Sequence, residues 1–344
     1  MASSFKTVLN DDVVTTRTLL HELIPITGSI ISGTYADQNI KNFSHGRFQS
    51  VYDYPYLSSS ANHIFDISVG YSPKSALSSS TSVDNNKKIQ IYNQMAQTLV
   101  GHDINGKILE FDQDGDILTG GTKLKEAIFI SFSRLLSKDE IKKGLLTLLV
   151  GDSIYSAHQT TSKSISDYGA INEYRVNSPA GEYGLLYTSS VNINSTNPIG
   201  LIYYQAGIIV LTASVFEGSA GQFSYAAGNS LSVNQTLTGS STQSTCDALR
   251  RRMMNMQINN TVELNSTIYF CRANHNEFNY SANPTYLSGS KIRVKNSTID
   301  NPVTYVTSIG LYSADNELLA VAKLSEPLKK DPTNELILRI RLDF

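Results

Sequence analysis

The last ten residues, 335 to 344, alternate without a break. Leu336, Leu338, Ile340, Leu342 and Phe344 fall on one side; Ile337, Arg339, Arg341 and Asp343 fall on the other. A period of two belongs to a pleated strand with one face covered. The C-terminus is therefore expected to lie ordered within a sheet rather than frayed. Upstream, PVTYVTSIGLY (302–312), a turn from Ser313 to Glu317 and LLAVAKL (318–324) read as a hairpin, and STIYFCRA (266–273) reads as a strand. EYGLLYTSS, LIYYQ and GIIVLTASVF are further short apolar runs parted by turn residues. These patterns predict an α+β fold that is predominantly β, with β-sandwich-like sheets and a few short helices.

Helical spacing predicts three helices. In residues 10 to 24, Asn10 or Asp11 can cap, Val13, Thr16, Leu20 and Leu23 fall near one face, and Pro25 ends the run. Residues 84 to 100 place Ile89, Tyr92, Ala96 and Leu99 on one face, and residues 244 to 256 do the same with Leu249, Met253 and Met256. KILEF (107–111), AIFISFSRLL and LLTLLVG read as strands, and SKDEIKKG (137–144) as a helical turn. Residues 27 to 57 follow no period and read as an extended arm with short strands. Residues 73 to 86 form a Ser-rich loop. The expected organisation is an N-terminal helix and arm (1–70), a mixed α/β core region (71–216), a Gly/Ser-rich loop or insertion (217–243), and a C-terminal helix plus β-sheet region that completes the core (244–344).

Charge excludes several classes of function. The 28 Lys and Arg against 30 Asp and Glu give a net charge of −2, which leaves no electrostatic footprint for nucleic acid. The longest basic run, Arg250-Arg251-Arg252, falls on a helix and reads as a solvated face. No stretch approaches the ~20 apolar residues of a membrane span. The N-terminus lacks the basic start and apolar run of a signal peptide, so synthesis and folding in a cytoplasm are expected. Nineteen tyrosines stand against no tryptophan, on a weakly charged background of Ser, Thr, Asn and Gly. That balance suits sheets, turns and extended contacts between subunits.

No constellation makes a convincing active site, and neither cofactor nor metal is expected. Gly101 to Lys107 matches GxxxxGK, but Ile108 stands where a magnesium-holding Ser or Thr is needed. The order around it is also helix then strand rather than strand then helix. A turn with an Asn-Gly step fits better. Asp112, Asp114 and Asp116 around Gly115 echo the start of a calcium loop. Ile117 and Lys123 occupy the positions where an EF-hand needs Gly and Glu; a calcium site of another kind stays open there, and an Asp-Gly turn between two strands is the stronger reading. His21-Glu22 lacks the second His of a zincin. Cys271 and His275 would lie ~13 Å apart on a straight strand, too far for a thiolate–imidazole pair. No catalytic, cofactor-binding or metal residues are expected. YDYPY, with Tyr52, Tyr54 and Tyr56, is the favoured interface patch, or else an aromatic corner packed on its own domain.

The segments NPIGLIYYQAGIIVLTASVF (197–216), FCRANHNEFNYSANPTYLSGSKIRVKN (270–296) and YVTSIGLYSADNELLAVAKLSEPLKKDPTNELILRIRLDF (305–344) resemble virion structural proteins of T-even-like myoviruses, especially those infecting marine cyanobacteria. HELIPITGSIISGTY and HGRFQSVYDYPYLSSSANHIFD are similar to the same group, so the resemblance covers most of the chain. It implies a non-enzymatic subunit of a contractile tail, foremost a baseplate wedge protein, that contacts other baseplate and tail proteins. It also implies a virion location and a homo-oligomer or symmetric ring. A receptor- or carbohydrate-binding tail module is the alternative. No catalytic residue is carried over.

Overall fold

The computed structural model describes residues 5–31, 38–53, 58–116, 121–151, 162–188, 198–216, 231–281, 283–295, 297 and 299–344. In chain order, the strands are β1 (Val13–Ile26), β2 (Ile40–Asn42), β3 (Gln49–Tyr52), β4 (His63–Tyr71), β5 (Glu126–Phe132), β6 (Glu140–Ile141), β7 (Thr147–Gly151), β8 (Ser162–Ser166), β9 (Arg175–Ser178) and β10 (Gly181–Leu186). They continue as β11 (Gly200–Tyr203), β12 (Ile208–Thr212), β13 (Met253–Ala273), β14 (Leu287–Ser288), β15 (Lys291–Ile292), β16 (Thr304–Tyr312), β17 (Leu318–Lys330) and β18 (Leu336–Asp343). The helices are α1 (Gly28–Ile31), α2 (Asn85–Leu99), α3 (Arg134–Ser137), α4 (Ala170–Glu173), α5 (Val233–Gly239) and α6 (Thr242–Arg250). The fold is α+β and predominantly β, as the sequence patterns require. Two compact units divide the chain: residues 20–262, and residues 1–19 with 263–344.

The larger unit is built on an antiparallel sheet in the order β2-β3-β4-β5-β12-β11-β10-β9. Both faces of this sheet are covered, which explains why its strands read as unbroken apolar runs. Phe65, Ile67, Val69, Ile128, Ile130, Ile202 and Ile209 point into one cluster, shared with Leu148, Val150, Met253, Met256 and Ile258 from β7 and β13. This is the sandwich-like layer. Phe129, Leu201, Tyr203 and Val210 point the other way, onto Ile91, Tyr92, Ala96 and Leu99 of α2. Gly70 allows α2 to approach the sheet: a Cβ there would stand 2.6 Å from the Lys88 carbonyl oxygen and 2.8 Å from the Tyr92 nitrogen. The expected stripe of α2 holds at Tyr92, Ala96 and Leu99. Ile89 is half-buried, and Lys88 is turned inward.

In the smaller unit, the second half of β13 pairs with β18 from Ser266↔Asp343 to Ala273↔Leu336. Asn265 and Phe344 exchange backbone hydrogen bonds, so the alternating tail is in the ladder to its last residue. Burial follows the alternation, with Ile340 buried and Arg339 and Arg341 exposed. β16 and β17 form the expected hairpin as a two-stranded ribbon. Its register shifts between Val306 and Ser308, opposite the stretch that holds Pro327. A bulge tolerates a residue that cannot donate to the ladder.

Several expectations are corrected. Residues 10 to 24 are not a helix. A short 3-10 turn, Asn10–Asp12, leads into β1, a strand exposed along nearly its whole length. With neither face covered, β1 carries no alternation, and pairing with β13 overrides the chance helical spacing. KILEF forms no strand. It makes the isolated bridge His102↔Ile108 and carries Phe111 beneath Tyr92. SKDEIKKG is not a helical turn: α3 ends at its first residue, Ser137, and Glu140–Ile141 pairs with β13. The helix expected over 244 to 256 spans Thr242–Arg250, while Met253 and Met256 reach the same core from β13. Residues 217 to 230 lie outside the described residues. Within the rest of the expected loop, Ser232 closes a capping box on α5.

Candidate functional site

The favoured tyrosine patch is only partly placed. Tyr52 ends β3 opposite His63, half-buried, with the two rings 5.1 Å apart. Burial, followed by the Asp66 charge, raises its phenol above the ordinary range. Tyr54 and Tyr56 lie outside the described residues.

The smaller unit presents a different candidate surface. Among the described residues, every buried apolar side chain except Ile340 belongs to the larger unit. The buried residues of the smaller unit are otherwise polar: Asp12, Ser266, Thr267, Thr304 and Lys330. Lys330 Nζ donates to the His275 carbonyl at 3.2 Å, Asn279 Oδ1 at 2.7 Å and the Asp331 carbonyl at 2.9 Å. Meanwhile Leu319 is 68 % exposed and Val321 55 %, and Tyr305, Tyr312, Leu318 and Ile337 are exposed with them. Ile309, Leu311, Leu324, Leu336 and Leu338 are only half-buried, so the unit shelters its apolar side chains thinly and leaves several in water.

The larger unit holds an open polar pocket of about 320 Å³, lined by Ile40, Asn42, Gln49, Ser241, Gln243, Ser244, Asp247 and Arg251. Ser241 caps α6 by accepting from the Ser244 amide. Gln243 Nε2 donates to the Phe43 carbonyl at 2.7 Å. That contact brings the clustered rings of Phe43, His45 and Phe48 close to the pocket; their centroids lie 4.9 to 5.2 Å apart. Beneath it lies Arg250, fully buried. Its Nε donates to Gln49 Oε1 at 3.0 Å, Nη1 to the Ile31 carbonyl at 2.6 Å and Nη2 to Asp247 Oδ1 at 2.6 Å. The basic run is thus not a solvated face: Arg250 and Arg252 are buried and Arg251 is partly so. Although burial works against ionisation, the Arg250 and Arg251 guanidinium groups hold the Asp247 carboxyl below its ordinary range. The pocket wall is therefore polar but charge-compensated. It joins residues about two hundred positions apart, and no local sequence signal announces it.

The remaining motifs fall where turn chemistry puts them. Asp103 Oδ1 accepts from the Asn105 and Lys107 amides, both at 2.8 Å, so the GxxxxGK segment is a tight turn after α2. The carboxylates of Asp112, Asp114 and Asp116 come together, each offering an oxygen within 4.8 Å of the others. Cys246 is buried and Cys271 half-buried, both as free thiols. His275 lies beyond β13 with Nδ1 3.2 Å from Glu335 Oε1, not in a pair with Cys271. No family model, curated protein or solved structure matches the chain.

Proposed function

We propose that the protein is a structural subunit of a contractile-tailed bacteriophage particle, most specifically a baseplate wedge protein that works through protein–protein contacts and not as an enzyme. The tail assignment rests on the sequence resemblance. The thinly covered smaller unit carries the contact mode. A small β unit with one fully buried apolar side chain among its described residues gains little from folding alone, and a two-stranded ribbon is marginal in water. A neighbouring subunit that covers Leu319, Val321 and Tyr305 would supply the missing burial, at about 25 cal/mol per Å². The long exposed strand β1 adds an edge suited to strand addition. The contacts expected are with other baseplate and tail proteins or further copies of the chain, within the virion.

The test is a particle assay. Purified virions, with tails separated from heads, are expected to carry this chain in the tail fraction at several copies. Leu319→Glu with Val321→Glu should leave the isolated chain folded, because both side chains are exposed. The same pair should remove the chain from the particle. Normal incorporation of the double variant, or absence of the wild-type chain from tails, refutes the proposal.

One observation favours a second reading, a carbohydrate-binding tail module. Side-chain amides, a carboxylate and a guanidinium around a neutralised pocket, with a small aromatic cluster close by, suit a neutral polyhydroxylated ligand. Saturable glycan binding by the isolated chain that Gln243→Ala abolishes would favour this module over the wedge subunit.

A further inference from the structure

We propose that Asp112, Asp114 and Asp116 bind a hard divalent cation of the calcium class through their carboxylate oxygens. Acidic side chains gather on many surfaces without binding anything, so proximity within 4.8 Å is not enough. What sets this group apart is Asp112, which is only 2 % exposed. Its Oδ2 takes the Lys123 ammonium. Its Oδ1 is buried, and no hydrogen-bond donor among the described residues reaches it. Buried carboxylate oxygens are almost always met by a donor or a cation.

The geometry around that oxygen points to a cation. Gly121 sits at φ +61°, and a Cβ built there would stand 3.4 Å from Asp112 Oδ1 and 3.8 Å from Asp114 Oδ2. Two oxygens from different carboxylates therefore border one small space, at a position with no side chain to fill it. Two carboxylates facing each other in this way cannot both stay ionised without a proton or a cation between them.

The surrounding contacts also set the expected strength. The Gly115 carbonyl already accepts from the Tyr183 hydroxyl at 2.6 Å, and the Asp116 carbonyl from Asn177 Nδ2 at 3.1 Å. Those carbonyls hold the loop in shape and are spoken for. The three carboxylates then provide the protein ligands, with water completing the six to eight oxygens that calcium takes. Few protein ligands and an attached lysine place the site among weak ones, with Kd on the order of 0.1–1 mM.

The full chain carries its own reporter. It has 19 tyrosines and no tryptophan, and Tyr183 touches the loop directly. Terbium added to the purified protein and excited through tyrosine should give saturable emission that calcium displaces near its Kd. Asp114→Asn should weaken that emission at least tenfold, and Asp114→Asn with Asp116→Asn should abolish it. Circular dichroism should show both variants folded, because Asp114 and Asp116 are not buried. Asp112→Asn is avoided, since it strikes a buried ion pair. Absence of calcium-displaceable emission from the wild type, or equal emission from the double variant, overturns the proposal.

Discussion

Replacing Arg250 by alanine should cost far more than replacing its neighbour Arg251. Arg250 has no exposed side-chain surface and bonds three acceptors, on Gln49, Ile31 and Asp247. Each acceptor left without its donor costs about 1–3 kcal/mol. The three sites together would approach 3–9 kcal/mol if all stayed dry. Gln49 and Asp247 also line the open pocket, so water can reach them after the deletion. The expected loss is thus at the lower end, about 3–5 kcal/mol, the usual cost of breaking a buried pair. At roughly 2–4 °C per kcal/mol for a unit of this size, Tm should fall by about 6–20 °C. Arg251 shares Asp247 at 2.8 Å but is 27 % exposed, and its removal should cost about 1 kcal/mol or less. Arg250→Lys keeps the charge but cannot reach three directions at once, and should fall between the two. Thermal and urea denaturation followed by circular dichroism measure all three. Equal losses for the Arg250 and Arg251 alanine variants would refute the buried-clamp reasoning.

Two further variants test buried groups of the larger unit. Burial pushes the Asp167 carboxyl up to about 6, against the Gly144 and Leu146 amides and the Tyr204 hydroxyl that lower it. Between pH ~4 and 6 the native chain keeps a proton that the unfolded chain has lost. The stability this group contributes is therefore full below pH ~4 and is lost as pH rises through about 6, on the order of 2–3 kcal/mol. Asp167→Asn should remove that slope from urea titrations run between pH 4 and 7, and a curve parallel to the wild type would contradict the assignment. Lys88 Nζ donates to the carbonyls of Val83 at 3.0 Å, Leu237 at 2.5 Å and Ser240 at 2.6 Å, tying α2 to the end of α5. Lys88→Met should lower stability by about 2–4 kcal/mol by stranding those carbonyls; a neutral or stabilising effect in the same denaturation assay would mean the ammonium is not needed there.

The parts of the fold that could be read from the sequence are those whose environment differs between faces or is uniformly buried. β18 alternates because Ile340 points inward while Arg339 and Arg341 meet water. β5, β11 and β12 read as continuous apolar runs because α2 covers one face of their sheet and the β7–β13 layer the other. β1 was illegible for the opposite reason: with both faces exposed, nothing selects a period. Met253 and Met256 share a helical stripe in the sequence but lie on a strand, since spacing of three suits a helix and a bulged strand start alike. Arg250 misleads any composition rule, because its burial depends on Ile31 and Gln49, some two hundred residues away. The pocket beside it is hidden for the same reason. The aspartate motif was visible as a turn, but the burial of Asp112 comes from tertiary packing, and only burial makes its bare oxygen costly.

The smaller unit makes the sharpest demand on its surroundings. With Lys330, Thr304 and Asp12 buried, Ile309, Leu311 and Leu324 half-buried and Leu319 and Val321 in water, its stability in the isolated chain comes from partial apolar burial and from hydrogen bonds that each contribute only about 1 kcal/mol net. Local opening should then be easy, and the ladder amides of β16 and β17 should exchange within seconds to minutes. Those of β5 and β12, sealed by apolar side chains on both faces, and of β4, covered by the core on one face and α2 on the other, should persist for hours or longer. Covering the ribbon with a neighbour removes water from the exposed apolar face and raises the opening free energy by whatever burial is gained. The β16 and β17 amides should therefore become protected when the chain is part of the particle, while those of β4 and β5 change little. Hydrogen exchange with mass spectrometry on the free chain and on purified tails separates the possibilities. If β16 and β17 are already as protected as β5 in the free chain, the smaller unit is self-sufficient, and the contact-driven role loses its physical support.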